Sequence, residues 1–404
     1  MPEYKGIEYL RSKLNVKRSR VLLRYNYYDM KFRAPDFGIS SPPDLRWMMG
    51  VLGWCAKAVD SLADRLTFQG FENDAYGLGN IYAMNNQDVL IDSAILGALI
   101  GSCDFIYITA DKDGFPKMRV IDGRHATGII DPITNMLKEG FAVLEFDEND
   151  NPLVEAYFVK GATTIIEKGK QPYTVTNVAP YPLLVPIIYR PDATRPFGHS
   201  RISRACMEIV NSAVRTVKRA EISAEFYSYP QKYILGMDPN AEKMDKWKVT
   251  ISSMLRIDKD DDGDKPVVGQ FQTAPQTPHT EQLRQLAGLF AGETGLTLDD
   301  LGFPSQNPSS SEAIKAAHET LRLTARKAQR TFGVGLLNAG YLAACVRDGQ
   351  PYARNQLNRT RLLWAPIFEA DASALGGIGD AIMKIQTSFP DYFTEDKLRE
   401  LTGI

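Results

Sequence analysis

The chain is organised around residues 195–236, which read RPFGHSRISRACMEIVNSAVRTVKRAEISAEFYSYPQKYILG. No Pro or Gly occurs between Gly198 and Pro230, and small apolar residues recur there at spacings of three and four. That spacing predicts one helix of about 28 residues, with Ser200 as its N-terminal cap. At about 1.5 Å per residue it is on the order of 40 Å long, far longer than an average helix. A helix of this length is expected to bridge two regions of the chain or to line a surface.

The overall composition is that of an ordinary soluble protein, with 404 residues, 44% apolar and 24% charged. The length predicts two or three domains, and the net charge of −2 gives no general affinity for polyanions. The charges are nevertheless segregated along the chain. Residues 1–33 and 315–361 are basic, whereas residues 238–264 and 365–404 are acidic. Such segregation indicates different surfaces for different partners.

The cysteines and the hydropathy place the protein in a reducing compartment. Cys55, Cys103, Cys206 and Cys345 are far apart and form no CxxC pair, so we expect buried thiols rather than a disulfide framework or a zinc site. The N-terminus lacks the apolar core of a signal peptide, and the most apolar run, residues 89–100, is too short to span a bilayer. We therefore expect an intracellular protein, or part of an assembly made inside the cell.

The first half of the chain is predicted to be an α+β unit over residues 1–195. It begins with a basic, Tyr-rich helical arm at 3–33, which either contacts nucleic acid or a neighbouring subunit, or is a surface helix with snorkelling cations. Helices are predicted at 44–66, ending near Gly70, and at 88–101. The period of the pattern then changes from 3.6 to 2, which predicts an antiparallel sheet. Its strands are expected at 105–108, 117–120, 140–146, 152–160, 161–167, 172–177 and 183–189.

Beyond the long helix, a small unit at about 231–278 contains a predicted polar helix at 240–249 and an acidic turn at 258–264. Its predicted strands are at 233–235, 253–257 and 267–271. A helix at 280–294 and a polar stretch at 305–311 follow. A second long helical pattern runs from Ser311 to Arg347, and its glycines at 333, 335 and 340 favour a bend. The tail is predicted to hold one strand at 359–364 and short helices.

No stretch of the sequence carries a catalytic or metal-binding pattern. The acidic run at 258–264 opens like a calcium loop, but Gly269 stands where the bidentate Glu is required, so we predict a hairpin tip. His199 lies beside Ser200 without a nucleophile elbow, which favours a helix start. The four histidines show no metal spacing, and no Walker motif is present. We predict no catalytic residue, no metal and no cofactor.

Several short motifs recur in a fixed order across nearly the whole chain. They are the early Tyr-rich helix, VDSLADRL at 59–66 followed by Gly70-Phe71, the small-residue helix before Gly101, Val120-Ile-Asp122, RPFGHSRI at 195–202, YPQKYILG at 229–236, KPVVGQF at 265–271, and LGFPSQNPSSSEAI at 301–314. Each is weak alone. In this order and spacing they resemble the portal proteins of tailed double-stranded DNA phages, the head-to-tail connectors of the virion.

The resemblance implies an α+β portal fold with a mixed α/β wing, long stem helices, a small α/β clip, a tunnel loop and a short helical crown. The implied division is an N-terminal wing at 1–195, a stem helix at 196–230, a clip at 231–278, a return helix at 279–304, a tunnel loop at 305–311, a long wing helix at 312–353 and a C-terminal wing or crown segment at 354–404. The subunits would form a ring, typically a dodecamer, at one capsid vertex, with double-stranded DNA in its channel.

The resemblance also implies the site residues and the partners. The tunnel loop and its cation are Ser305, Gln306, Asn307, Ser309, Ser310 and Lys315. The stem residues expected to face the channel or a neighbouring subunit are Arg215, Lys218 and Arg219. The docking residues of the clip are Lys232, Lys246, Trp247, Asp260 and Asp262. The expected partners are further copies of the chain, double-stranded DNA, the major capsid protein, the large subunit of the terminase motor and the head–tail adaptor, with no membrane. The expected location is the virion, and the host cytoplasm during assembly.

Two other functions stay open at this point. The first is a nucleic-acid-processing enzyme with a helical DNA clamp, which requires a carboxylate cluster that binds metal inside a folded core. The second is a monomeric DNA-binding module. A portal must let DNA slide, and the uncharged segment at 305–311 suits weak contacts to phosphate, which carry no sequence information.

Overall fold

The computed structural model describes residues 4–36, 47, 48, 50–228, 232–235, 267–270, 275–304, 311–368 and 372–389. The chain forms two compact units. The first comprises Met1–Phe32, Gly53–Met207 and Thr294–Ile404, and the second comprises Arg33–Leu52 and Glu208–Glu293.

Helices and strands alternate irregularly along the chain, which is the α+β class predicted from the sequence. The helices are α1 Ile7–Tyr28, α2 Trp54–Ala63, α3 Leu78–Ala83, α4 Gln87–Gly101, α5 Arg204–Ser228, α6 Thr277–Thr294, α7 Ser311–Ala317, α8 Glu319–Asp348 and α9 Ala372–Ser388. The strands are β1 Phe68–Glu72, β2 Cys103–Ala110, β3 Pro116–Ile121, β4 Ala126–Ile130, β5 Leu137–Phe146, β6 Pro152–Val159, β7 Ala162–Glu167, β8 Tyr173–Thr176, β9 Leu184–Ile188, β10 Lys232–Leu235, β11 Val267–Gln270 and β12 Arg361–Trp364.

Two antiparallel sheets form the centre of the first unit. One has the strand order β3-β2-β9, and the other has the order β4-β5-β6-β7-β8. They pack face to face: the ring of Tyr107 on β2 lies 5.4 Å from that of Phe158 on β6, centroid to centroid. Gly140 on β5 permits this approach, because a Cβ there would lie 2.9 Å from a methyl carbon of Leu184 on β9. The predicted strands between residues 105 and 189 are confirmed.

Helices α4 and α8 cover the other face of the three-stranded sheet. Asp104 and Ile187 are paired across β2 and β9, so their side chains lie on the same face. The Asp104 carboxylate occupies the space beside Gly97 of α4, where an added Cβ would lie 1.8 Å from Oδ2. Gly335 of α8 approaches Ile187 in the same way, with 2.9 Å between an added Cβ and Cδ1. The small residues of both helices therefore serve close packing on the sheet.

Helix α1 lies along β4, at one edge of the five-stranded sheet. The buried carboxylate of Glu139 accepts the backbone N–H groups of Lys5 (2.9 Å) and Gly6 (3.1 Å), which satisfies the start of the helix. Lys13 Nζ donates to the carbonyl of Gly128 on β4 at 2.6 Å, and Arg11 pairs with Glu155. The predicted helical arm is confirmed, and these cations are used inside the subunit.

The predicted helix at 44–66 is wrong in its first part. Helix α2 begins at Trp54, and Trp47 and Val51 are 76% and 62% exposed outside any helix. Gly53 flanks the start of α2, and the described residues before it are not helical. The region near Gly70, predicted as the helix end, is strand β1, which pairs with β12 in an antiparallel register.

The predicted N-terminal cap of the long helix is also wrong. Helix α5 begins at Arg204, and the Ser203 hydroxyl accepts the N–H of Cys206 at 3.1 Å, so Ser203 is the cap. Ser200 instead donates to the Ile100 carbonyl at 2.6 Å. Arg201 is buried, and its guanidinium donates to the carbonyls of Ala58 (3.2 Å) and Thr294 (2.5 Å).

The second long helical pattern is interrupted at His318, which separates α7 from α8. Helix α8 then continues through all three glycines at which a bend was expected. Two of them face packed neighbours: Gly335 lies against Ile187, and Gly340 lies against Tyr82 and Leu78. Their role is close packing of the helix rather than interruption of it.

The described part of the second unit contains most of α5 and α6 and the hairpin-like pair β10–β11. Leu235 pairs with Val267 and Lys232 with Gln270. The predicted polar helix at 240–249, the strand at 253–257 and the acidic run at 258–264 lie outside the described residues.

All four cysteines are buried and free, as predicted. Within the described ranges, none of the helices combines the length and apolar character needed to cross a bilayer.

Candidate nucleic-acid interface

Helix α5 carries the predicted stem cations on its surface within the second unit. Lys218 Nζ lies 2.9 Å from Asp36 Oδ2, and its side chain is only 12% exposed. Arg215 donates from Nη2 to the Ser212 hydroxyl at 2.8 Å and from Nη1 to the Pro35 carbonyl at 3.4 Å. Two of these cations are thus held by the segment at 35–36 or by their own helix.

A second contact on α5 is made by Gly50, which packs closely against the helix. Gly50 lies beside Val214, where an added Cβ would be 3.1 Å from the backbone oxygen and 3.4 Å from Cγ1. Arg219 is half-buried on the same helix. The ion pair of Lys218 leaves less net positive charge on α5 than the sequence indicates, and so less capacity to release counterions from a polyanion.

The predicted tunnel loop lies outside the described residues, which resume at Ser311. Its neighbouring cation, Lys315, is exposed on α7. His318 follows at the break between α7 and α8, with Nδ1 at 3.7 Å from Asp300 Oδ2. The structure therefore places Lys315 on the short helix directly after the predicted loop, and no described residue tests the loop itself.

Only one of the predicted clip residues is described. Lys232 lies in β10, opposite Gln270 of β11. Lys246, Trp247, Asp260 and Asp262 lie outside the described residues. Their role in docking stays a prediction.

A basic face on α8 is absent from the predicted site residues. We call it the α8 face, and it consists of five exposed residues in about three turns of helix: Leu323, Arg326, Lys327, Arg330 and Val334. Within the described part of the chain, none of its three cations forms an ion pair, whereas Arg322 nearby binds Glu319 at 2.6 Å. The basic count of residues 315–361 was the available signal, but it could not distinguish exposed from paired cations.

The His–Ser neighbours near α5 do not form a nucleophilic site. His199 Nε2 lies 2.6 Å from Asp192 Oδ2, while Ser200 donates to the Ile100 carbonyl. The contact with His199, followed by that with Thr194, holds the pKa of Asp192 well below its usual value. In the described ranges, no three His, Cys, Asp or Glu side chains come close enough to hold a metal ion.

Asp104 is the one fully buried carboxyl beside α4, among the described residues of the three-stranded sheet. Burial, followed by the nearby Asp122, raises its pKa well above the usual value. Oδ1 accepts the N–H of Gly123 at 2.9 Å. The carboxyl therefore fixes the turn after β3 and has no access to a ligand.

The matched relatives extend over most of the chain. The portal protein of Mycobacterium phage L5 is 25% identical to this chain in an alignment of 403 residues. The match covers 93% of this chain and 82% of that protein. The portal protein of Mycobacterium phage D29 is 24% identical in an alignment of 373 residues. That match covers 86% of this chain and 76% of that protein. Along most of its length the chain is similar to tailed-phage portal proteins.

No protein-family model matches this chain. Its fold is similar to that of a chain in the neck of an empty gene transfer agent particle, with a TM-score of 0.50 and 14% identity. The match covers 91% of this chain and 95% of that chain, and the likeness between the two is one of fold.

Proposed function

We propose that this chain is a portal protein, one subunit of a ring at a single vertex of a phage capsid. Double-stranded DNA passes through the centre of the ring during packaging and ejection. The observation that carries the proposal is the similarity to the L5 portal protein along 93% of the chain. A typical ring of this family has twelve subunits, and we adopt that number.

The predicted division into wing, stem, clip and crown is part of the proposal. The first unit, with its two packed sheets, suits the wing. Helix α5, with 25 residues, suits a strut of the stem, and the pair β10–β11 suits the base of the clip. The segment at 305–311 is then the tunnel loop.

The partners follow from the same assignment. The clip docks on the terminase motor and later on the head–tail adaptor, and the wing contacts the major capsid protein. ATP hydrolysis belongs to the motor, so the portal itself acts as a non-enzymatic conduit in the virion, assembled in the host cytoplasm.

The contacts of α5 support a channel in which DNA slides. Each phosphate that a cation neutralises adds affinity through release of counterions, so a strongly basic lining would hold DNA in place. Lys218 is paired with Asp36, and the predicted loop residues are uncharged. A wall of this kind makes weak contacts that exchange as DNA moves.

The alternative of a DNA-processing enzyme is not favoured by the relatives, which are portal proteins. The acidic run at 258–264 supplies the carboxylates that this alternative needs. Loss of a metal-dependent nuclease activity in an Asp260→Ala variant would support it.

Native mass spectrometry of the purified full chain tests the proposed ring. One chain has a mass of 45.1 kDa, and we expect a closed species of many copies with few intermediates. A chain that stays at 45.1 kDa at micromolar concentration, in low and high salt, contradicts the proposal.

A further inference from the structure

The α8 face combines charge with exposed apolar surface. Leu323 and Val334, at its two ends, are 48% and 53% exposed, and the three cations lie between them. The opposite side of the helix is buried, including Leu321, Phe332 and Leu336. Phosphate contacts need no apolar surface, so a face that combines cations with exposed apolar side chains suits a protein partner better than DNA.

A face of opposite charge occurs in the same unit. We call it the α4 face, and it consists of Met84, Asp64, Asp88, Val89 and Asp92, all exposed. Val89 is 70% exposed and Met84 58% exposed. Partial burial, followed by the nearby Asp88 and Asp64, raises the pKa of Asp92, which indicates that the three carboxylates share one region. None of them forms an ion pair with any described residue.

The two faces therefore match each other in charge and in apolar content, yet they are not joined within one subunit. They share no residue, so a contact at one face leaves the residues of the other exposed. A contact of the α8 face with a second α8 face would bring like charges together. Complementary but different faces on one chain fit the head-to-tail contact that closes a ring of identical subunits.

We propose that the α8 face of one subunit docks on the α4 face of the next subunit in the ring. The occupant of each face is thus a second copy of this chain. The inference rests on the proposed ring. It adds which two surfaces hold the ring together. It also adds that the contact is head-to-tail, with a basic face of one subunit against an acidic face of the next.

The test reverses the charge of each face separately. One variant carries Lys327→Glu and Arg330→Glu, and the other carries Asp88→Lys and Asp92→Lys. Each variant alone opposes like charges at every contact, so we expect the concentration for half-assembly to rise at least about tenfold. Lys112→Glu, in the exposed β2–β3 turn, is the control, and its assembly should equal that of the unmodified chain.

Mixing the two variants in equal amounts supplies the rescue. The first variant is acidic on both faces and the second is basic on both, so alternating subunits restore every contact. We expect rings of strictly alternating composition in native mass spectra, with an even number of copies. Recovery on mixing also proves that each variant alone is folded.

The outcomes separate this inference from the proposed function. Wild-type rings together with unchanged assembly of both variants overturn the docking of α8 on α4 and leave the ring intact. Normal rings of the α8 variant that retain less DNA would show that the face meets DNA instead. A wild-type chain that never assembles contradicts the ring itself. Failure of the mixture to assemble while each variant remains folded by circular dichroism also overturns the inference.

Discussion

The two longest helices, α5 and α8, use their cations in opposite ways. On α5, Lys218 is paired with Asp36 and Arg215 donates to Pro35 and Ser212. On α8, Lys327 and Arg330 are exposed and form no ion pair with a described residue. Helix α5, whose cations were expected to face the channel or a neighbouring subunit, has its charge partly neutralised. Helix α8, predicted as a wing helix, presents a basic surface.

This difference shows that a count of charges along a sequence does not locate a charged surface. Both helices carry cations at spacings of three and four, and both read as amphipathic. What separates them is the neighbouring chain: the segment at 33–36 supplies Asp36 to α5, and nothing equivalent lies on the outer side of α8 among the described residues. The predictions below test this contrast.

The largest effect is expected on the buried side of α8. Phe332 is fully buried and stacks on Tyr189, with 6.0 Å between the ring centroids. Phe332→Ala removes that packing and leaves a cavity, which should lower the free energy of unfolding by about 3–5 kcal/mol. Urea unfolding measures the change, and Val334→Ala, on the exposed side of the same helix, is the matched control. Similar losses in both variants would contradict the assigned faces.

An intermediate effect is expected on α5. Lys218→Ala should lower the free energy of unfolding by about 1 kcal/mol, because the pair with Asp36 is partly shielded from solvent. A double-mutant cycle with Asp36→Ala isolates the coupling between the two side chains. Lys327→Ala on α8 should leave the unfolding curve unchanged. A coupling energy of zero in the cycle would mean that Lys218 is as free to bind another molecule as the exposed cations of α8.

The smallest effect on stability, and the most local one, is expected at Leu323→Cys. The four native thiols are buried, so maleimide should label only the new cysteine in the monomer. In the assembled ring the α8 face is covered, and labelling should slow at least about tenfold if the docking surfaces are correct. Ile133→Cys, 88% exposed on a turn away from both faces, is the control for accessibility. Equal labelling of Leu323→Cys in monomer and ring would exclude α8 from the subunit contact.

The local sequence pattern was sufficient to predict most helices and strands of the first unit. The strands β2, β3 and β5 to β9 were predicted because alternation and turn residues are local signals, as in the tight turn closed by Asp147 and Asn151. Helices α1, α4, α5 and α8 were predicted for the same reason. Strand β4 was missed. The pairing of β1 with β12 was missed, since it joins the two ends of the first unit and leaves no local signal.

Errors occurred where tertiary contacts decide the local conformation. Among the described residues of the helix expected at 44–66, helical structure begins at Trp54, and Gly50 is needed for close approach to Val214. The capping role moved from Ser200 to Ser203, because Ser200 is used by the Ile100 carbonyl. The break at His318 lies outside the glycine-rich part of α8, whose glycines serve packing instead.

The candidate site was predicted in part. The family was recognised from motifs, and its implied residues at 215, 218, 219 and 315 are described, but their contact with DNA stays a prediction. The α8 face was missed because burial and ion pairing depend on neighbours far along the chain. Lys218 was predicted as a site residue and Lys327 was not, although Lys218 is paired with Asp36 and Lys327 is exposed.

Cryo-electron microscopy of the purified full chain tests the central claim most directly. We expect a closed ring of identical subunits around an open axial channel, with α8 of each subunit against α4 of its neighbour. Discrete monomers, or open filaments without a channel, would contradict the assignment of this chain to the portal vertex.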